Sequence, residues 1–296
     1  MTTLRSTRTP TLSDNPVPLT DRLTGRFALF VLYGILTVAA FISLVPIYWM
    51  IMSSFKPLND IITLPVWLVP LHPTLDNYQL LLTTTLFARS MLNTIIVATV
   101  NVGLQTFLCS LAGFAFAKYR FRGRGILFTL VLGTVMIPAT VQLVPNYIVM
   151  AHLGWIDTWL PLIVPTAANA FGIFWMRQYM FSVPDELLDA GRLDGTTEFG
   201  LFWRVVLPIA RPALGALALF VFTTSWNEFL LPLVYLRSAD KFTVQLMINA
   251  IFRTRFQQNF HLLMAASVLA IVPMTILFAT VQRQFIAGLT LGSIKE

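Results

Sequence analysis

The stretch DELLDAGRLDGTTEFGLFWRVVLP, Asp185 to Pro208, interrupts an otherwise greasy chain. Only 11% of the 296 residues are charged, yet this stretch holds five of the thirteen acidic side chains: Asp185, Glu186, Asp189, Asp194 and Glu198. Its surroundings set the solvent. With 56% apolar residues, a mean hydropathy of +0.75 and long windows without a charge, the chain is suited to lipid and reads as a membrane protein.

A helix that crosses ~30 Å of hydrocarbon needs about 20 predominantly apolar residues. Six windows satisfy this, at roughly 27–53, 91–117, 126–150, 158–177, 212–236 and 262–283. The expected fold is therefore all-α, a polytopic membrane protein with six transmembrane helices. Residues 1–25, rich in Thr, Ser and Pro and lacking the apolar core of a cleavable signal, are expected to be a disordered tail. That leaves 26–296 as a single transmembrane domain. The run Ile61 to Pro70 is too short to cross and holds two prolines, so it predicts a structured segment on the outer surface.

Cytoplasmic loops retain Lys and Arg during insertion, and an even number of spans puts both termini on one side. That side carries fourteen Lys and Arg against six on the other. Both termini, and the loop around residues 182–212, are expected to be cytoplasmic in a bacterial or archaeal cytoplasmic (inner) membrane. The net charge of +7 is spread as juxtamembrane anchors, so it calls for a lipid bilayer and no nucleic-acid partner.

No phosphate-binding loop, zinc-protease motif or nucleophile elbow occurs, so no catalytic centre is expected. His72, His152 and His261 stand apart from one another and from any carboxylate cluster, which predicts no metal site. Cys109 is alone, excludes an internal disulfide and is expected to be a small apolar filler.

Within the interruption, Ser182 followed by Asp185 is a capping-box pattern with Pro184 in the first turn. A helix is expected from about Ser182, with Asp185 and Glu186 at its positive end and Gly195 as its stop. Val183, Leu187, Ala190 and Gly191 are spaced for one face, and the small Ala190-Gly191 pair would let another surface approach closely. Thr196 or Thr197 would cap a second, amphipathic helix bearing Glu198, Phe199, Phe202, Trp203 and Val206, with Pro208 and Pro212 redirecting the chain. The bland alternative is a plain solvated loop.

This stretch resembles the EAA loop of importer-type ABC permeases, whose pattern is E-A-A, three residues, G, nine residues, I-x-L-P. Asp189-Ala190-Gly191 stands for E-A-A, Gly195 for the glycine, Val205 for the isoleucine, and Leu207-Pro208 for the closing pair. VPDELLDAGRLDG, SWNEFLLPL and the terminal GLTLGSIKE are similar to the MalG type within the carbohydrate-uptake branch. The resemblance implies a permease of a sugar or oligosaccharide importer, without its own ATPase site and without a cofactor. It implies a MalF-like second permease, two ATPase subunits that bind ATP and Mg, and an extracytoplasmic substrate-binding protein. Asp185, Glu186, Asp189, Ala190, Gly191, Asp194, Gly195, Leu207 and Pro208 would then form the ATPase-coupling site, the acids pairing with basic groups at the rim of the ATPase cleft. Gly288, Thr290 and Gly292 would lie in a C-terminal tail that reaches the ATPase interface.

Glu228 is the one acid well inside a predicted span. It either faces the translocation path or a partner, or it hydrogen-bonds a helix broken near Pro232. Trp226 and Asn227 beside it are candidates to stack on and hydrogen-bond a sugar, with packing as the other reading. Pro138, Pro145, Pro161, Pro165 and Pro232 are expected helix breaks. An ion-coupled secondary transporter would share the acid and the prolines but needs no docking helix. Glycerol phosphate is the alternative cargo, disfavoured because no Lys or Arg lies well inside a span.

Overall fold

The computed structural model describes residues 19–62, 68–254 and 256–291, and these form helices and connecting turns with no strand among the described residues. The described residues fall into two units that divide between Trp49 and Met50. The first unit is mostly helix α1 (Leu19–Ser54), which begins ahead of the expected tail boundary. Phe30, Phe41 and Ile42 are all exposed. A helix that is apolar all round offers no single stripe to pack, which suits contact with lipid.

The second unit continues with α2 (Leu58–Ile62), α3 (Asp76–Thr84), α4 (Phe87–Lys118), α5 (Arg124–Gly133), α6 (Ala139–His152), α7 (Leu160–Ile163) and α8 (Ala170–Met180). Then come α9 (Asp185–Leu193), α10 (Glu198–Leu201), a π-helical turn at Phe202–Val206, α11 (Leu207–Ile209), α12 (Arg211–Asn227), α13 (Leu230–Tyr235), α14 (Val244–Thr254) and α15 (Phe256–Leu291). Residues 63–67, half of the run Ile61 to Pro70, lie outside the described residues.

Among the described residues, three helical stretches are long and apolar enough to cross a membrane: Ala28–Ser54, Phe87–Lys118 and Asn259–Thr280. Two bent pairs raise the number to at most five, Arg124–Met136 with Ala139–His152 at 100° and Glu198–Ile209 with Arg211–Asn227 at 82°. Among the described residues three to five stretches thus meet the length and composition of a span, where the sequence predicts six. The predicted fourth span, 158–177, is split into a four-residue and an eleven-residue helix. Pro161 opens α7, Pro165 follows it, and the Asn169 side chain caps α8 by accepting from the Gly172 N–H at 2.7 Å. Pro138 sits at the 100° bend, whereas Pro145 lies inside a continuous α6 and Pro232 inside α13, so neither breaks its helix.

Helix α4 organises this unit and packs most extensively on α8 and α12. The α4–α8 crossing is close because it lacks side chains. A Cβ on Gly113 would stand 2.8 Å from Met176 Cβ, and one on Gly172 would stand 2.7 Å from the Sγ of buried Cys109. Small residues let membrane helices approach until backbone dispersion holds them.

At its Phe87 end, α4 is tied to the 240–244 segment. Arg89 pairs with Asp240 at 3.3 Å, Asn93 donates to the carbonyls of Asp240 and Phe242, and the Val244 N–H donates to Thr94 Oγ1 at 2.7 Å. Beside it, Asp157 adopts φ 62° and its carboxylate accepts from the N–H groups of Arg237 and Ser238, the Ser238 hydroxyl and Lys241 Nζ. These bonds, the Ser238 hydroxyl foremost, hold the Asp157 carboxyl well below the usual carboxylate range.

Candidate coupling loop and translocation cavity

The charged interruption folds as two short helices joined by a tight bend. Helix α9 starts at Asp185, with Pro184 as its N-cap. Ser182 is not the cap predicted for it, because its hydroxyl donates back to the Tyr179 carbonyl at 2.7 Å and finishes the preceding helix. The stop is as expected. Gly195 has φ +77°, its N–H donates to the Arg192 carbonyl, and the Thr196 N–H donates to the Gly191 carbonyl, both at 3.0 Å. This is a Schellman motif, which satisfies orphan carbonyls and favours glycine at the left-handed position. Thr197 then caps α10 by accepting from the Gly200 N–H.

Burial fastens the pair to the bundle. Leu188, Leu201, Phe202 and Val206 belong to one apolar core with Phe114 of α4, Met176 of α8 and Leu217 of α12. Val183, just ahead of α9, is also buried. On the second helix Phe202 and Val206 point inward and Phe199 and Trp203 outward, the amphipathic division that the spacing predicts.

Charge fastens it as well. Lys118, the last residue of α4, donates to the Val183 carbonyl at 2.5 Å and pairs with Asp185 at 2.6 Å. The adjacent Tyr119 hydroxyl donates to Glu198. Arg192 bridges the helices, with Nε and an Nη on the two oxygens of Glu198 and the other Nη on Asp189. The Lys118 hydrogen bond depresses the Asp185 carboxyl, and Arg192, then Tyr119, depress Glu198. Burial first, and the Glu198 bond second, push the Tyr119 phenol up to about 12. Asp185 and Asp189 are thus already engaged within the chain, where the sequence reading reserved them for a partner. Glu186 and Asp194 are exposed and have no ion pair among the described residues.

Gly191 is a further correction. Its missing side chain faces Leu201, whose Cδ2 would lie 2.4 Å from an added Cβ, so it permits close packing of α9 on α10. Ala190 faces outward with Leu187 and Leu193, the last 89% exposed. The free face of α9 is therefore Leu187, Ala190 and Leu193, flanked by Glu186 and Asp194. Leu207 packs against the core and Pro208 is exposed within α11, after which the chain turns into α12.

Trp226 and Asn227 line one cavity, of about 350 Å³, and Glu228 another. Helix α12 ends at Asn227 and Glu228 is extended, so the side chains diverge. Trp226 is 1% exposed, stacks on Phe222 and donates to the Ala270 carbonyl at 3.2 Å, the contacts of a packing group. Asn227 is exposed and donates to the Thr223 carbonyl. Glu228 accepts the Leu231 N–H at 3.0 Å, capping α13 across the break, and also lines a cavity of about 440 Å³. One of its oxygens thus serves the helix that follows the break, the second of the two readings held open for it.

That cavity lies where α7, α12 and α13 break beside the middle of α4. Sequence reasoning missed its polar lining: Asn101, Gln105, Gln142, Thr166, Asn169 and Thr243. Asn101 is fully engaged, donating to the Leu162 carbonyl and Ser225 Oγ and accepting from Thr166. The signal was there, since Val97, Asn101 and Gln105 recur every four residues on one face of an apolar helix. At the C-terminus, Gly288 and Thr290 fall within helix α15, which runs to Leu291, and Gly292 lies outside the described residues.

Comparison with known proteins agrees with this architecture. Residues 105–290 match the family described as binding-protein-dependent transport system inner membrane component. The chain is 38% identical over 259 residues to the arabinooligosaccharides transport system permease protein AraQ of Halalkalibacterium halodurans, covering 86% of this chain and 92% of that one. It is 30% identical to the lactose transport system permease protein LacG of Rhizobium radiobacter, covering 89% and 95%. A chain from the crystal structure of a bacterial ABC transporter involved in the import of the acidic polysaccharide alginate superposes with a TM-score of 0.79 at 26% identity, covering 94% of this chain and all of that chain. The chain belongs to the family of binding-protein-dependent transport system inner membrane components.

Proposed function

We propose that the chain is a permease subunit of an ATP-driven importer for a sugar or oligosaccharide, and that α9 and α10 form its coupling element. The observation that carries this reading is the double attachment of that element to the end of α4, through Lys118–Asp185 and Tyr119–Glu198. One helix then bears three devices in sequence: the clamp around Arg89 and Asn93, the cavity around Asn101 and Gln105, and the latch at Lys118. A push on α9 is delivered to the cavity wall as a rigid-body motion of α4.

In this reading a MalF-like second permease completes the pathway and an extracytoplasmic binding protein delivers the solute. Two ATPase subunits, which bind ATP and Mg, seat α9 in a cleft from the cytoplasmic side, where both termini also lie. Leu187, Ala190 and Leu193 supply the docking surface, and Glu186 and Asp194 meet basic groups at its rim. Exposed ion pairs contribute at most ~1 kcal/mol each, so shape dominates the docking and charge tunes it. The C-terminal segment around Gly288, Thr290 and Gly292 adds a second contact with the ATPases. The sugar cargo is supported by relatives named for arabinooligosaccharide and lactose transport.

The test is purification of the tagged chain with its neighbours, followed by ATP hydrolysis in proteoliposomes with and without loaded binding protein. Co-purified ATPase and sugar-dependent stimulation are expected. Solute uptake driven by an ion gradient without any ATPase would contradict the reading.

A further inference from the structure

The cavity beside α4 contains polar groups that the fold itself does not use. Thr243 lines it, is 4% exposed, and its hydroxyl has no hydrogen-bond partner among the described residues. An unpaired buried hydroxyl is unfavourable, and an isosteric valine would remove the problem, so its presence asks for a ligand. Gln105, 7% exposed, accepts from Asn169 with its carbonyl, while no hydrogen bond among the described residues uses its amide protons. Glu228 spends one oxygen on the Leu231 N–H, and its other oxygen has no partner among them.

These unspent groups are a hydroxyl, an amide donor and a carboxylate acceptor, and Phe220 lines the same cavity as an apolar face. A neutral sugar is their complement, because its hydroxyls both donate and accept while its C–H face stacks on an aromatic ring. The volume of about 440 Å³ falls within the usual range for small-molecule sites. Glu228 is the sole ionisable residue in the lining, and no Lys or Arg accompanies it. A negative charge with no cation beside it works against an anionic solute.

We propose that this cavity is a solute-contact site within this subunit, selective for neutral, hydroxyl-rich solutes, with Thr243, Gln105 and Glu228 as the contacting groups. The proposal rests on the sugar-importer reading and adds to it both a location and a charge preference. Asn101 is excluded from direct contact, since its amide is spent on Leu162 and Ser225, and it acts as a positioning residue.

The experiment uses the complete transporter in proteoliposomes with its binding protein, and three labelled probes: arabinotriose, lactose and an alginate trisaccharide. The wild type is expected to import a neutral probe and to exclude the acidic one. Thr243→Val should assemble yet lower uptake of the neutral probe about tenfold, with Thr243→Ser restoring it and Gln105→Leu matching the loss. Glu228→Gln, which keeps the acceptor for Leu231, should raise uptake of the alginate trisaccharide relative to the neutral probe. Wild-type uptake in both Thr243→Val and Gln105→Leu overturns the contact site while leaving the sugar reading intact. Should Thr243→Val fail to assemble, Gln105→Leu decides by the same criterion. A wild-type complex that imports only the acidic probe, or none of the three, overturns the neutral-sugar reading and the site with it.

Discussion

The Lys118 ammonium lies 2.6 Å from Oδ1 of Asp185, joining the last residue of α4 to the first residue of α9. Lys118 is 6% exposed at its side chain and Asp185 75% exposed, so a cation shielded by the bundle holds an acid at its rim. The same ammonium also holds the Val183 carbonyl, which fixes the entry into α9. This places a charge-assisted joint between the element proposed to receive force and the helix proposed to carry it.

Loss of that joint should uncouple the two. Lys118→Met keeps the apolar stem and removes the donor, so the ATPase should still be retained while sugar-stimulated hydrolysis falls roughly fivefold, the lower end of usual coupling effects. Paired measurement of uptake and hydrolysis in one preparation checks this. Wild-type coupling in Lys118→Met would show that the apolar core alone transmits the motion.

Gly191→Ala tests an internal contact instead. The new Cβ would meet buried Leu201, and overpacking of this kind costs about 1–3 kcal/mol. The variant should lower the melting temperature of the isolated chain in detergent, and Leu201→Ala in the same chain should recover part of the loss. An unchanged melting temperature would mean that α9 and α10 separate freely.

Glu228→Leu should impair uptake more than Glu228→Gln at matched expression. Glutamine keeps an oxygen for the Leu231 N–H at the start of α13, whereas leucine leaves a backbone donor unpaired at a cost of about 1–3 kcal/mol. Equal, wild-type uptake in both would remove this residue from the mechanism.

The clamp at Asp157 carries a pH dependence. Its folded-state carboxyl is depressed, so the stability it contributes is present above the ordinary Asp range near 4 and is lost as pH falls through the lower folded value. Thermal stability measured between pH 7 and pH 3 should decline in wild type and decline less in Asp157→Asn, which starts lower. Parallel curves would assign the acid sensitivity to other groups.

Much of this was legible in the sequence, and the misses share a cause. Hydropathy located α1, α4 and α15, because twenty or more apolar residues leave a single helix as the reasonable outcome in lipid. It also drew one span through 158–177, where Pro161 and Pro165 were legible as breaks but the Asn169 cap was not, since a window average does not register a break that local hydrogen bonds satisfy. Gly195 was readable because a positive φ at a helix stop favours one residue type. The direction of Gly191 was not, because whether a small residue faces a partner or the chain's own Leu201 depends on where α10 packs. The Arg192–Glu198 and Lys118–Asp185 pairs were likewise hidden, being contacts between elements whose juxtaposition is tertiary.

The central claim is that α9 is the docking element for a separate ATPase, and Ala190→Trp tests it most directly. Ala190 is exposed, lies outside the membrane-spanning helices and points away from Leu201, so a large side chain there leaves the fold intact and obstructs only an approaching surface. In a detergent pull-down, Ala190→Trp is expected to retain the second permease and lose the ATPase. Gly195→Val, which strains the φ +77° bend, is expected to keep ATPase but lose sugar-stimulated hydrolysis. Normal ATPase retention in Ala190→Trp together with normal coupling in Gly195→Val would contradict the account.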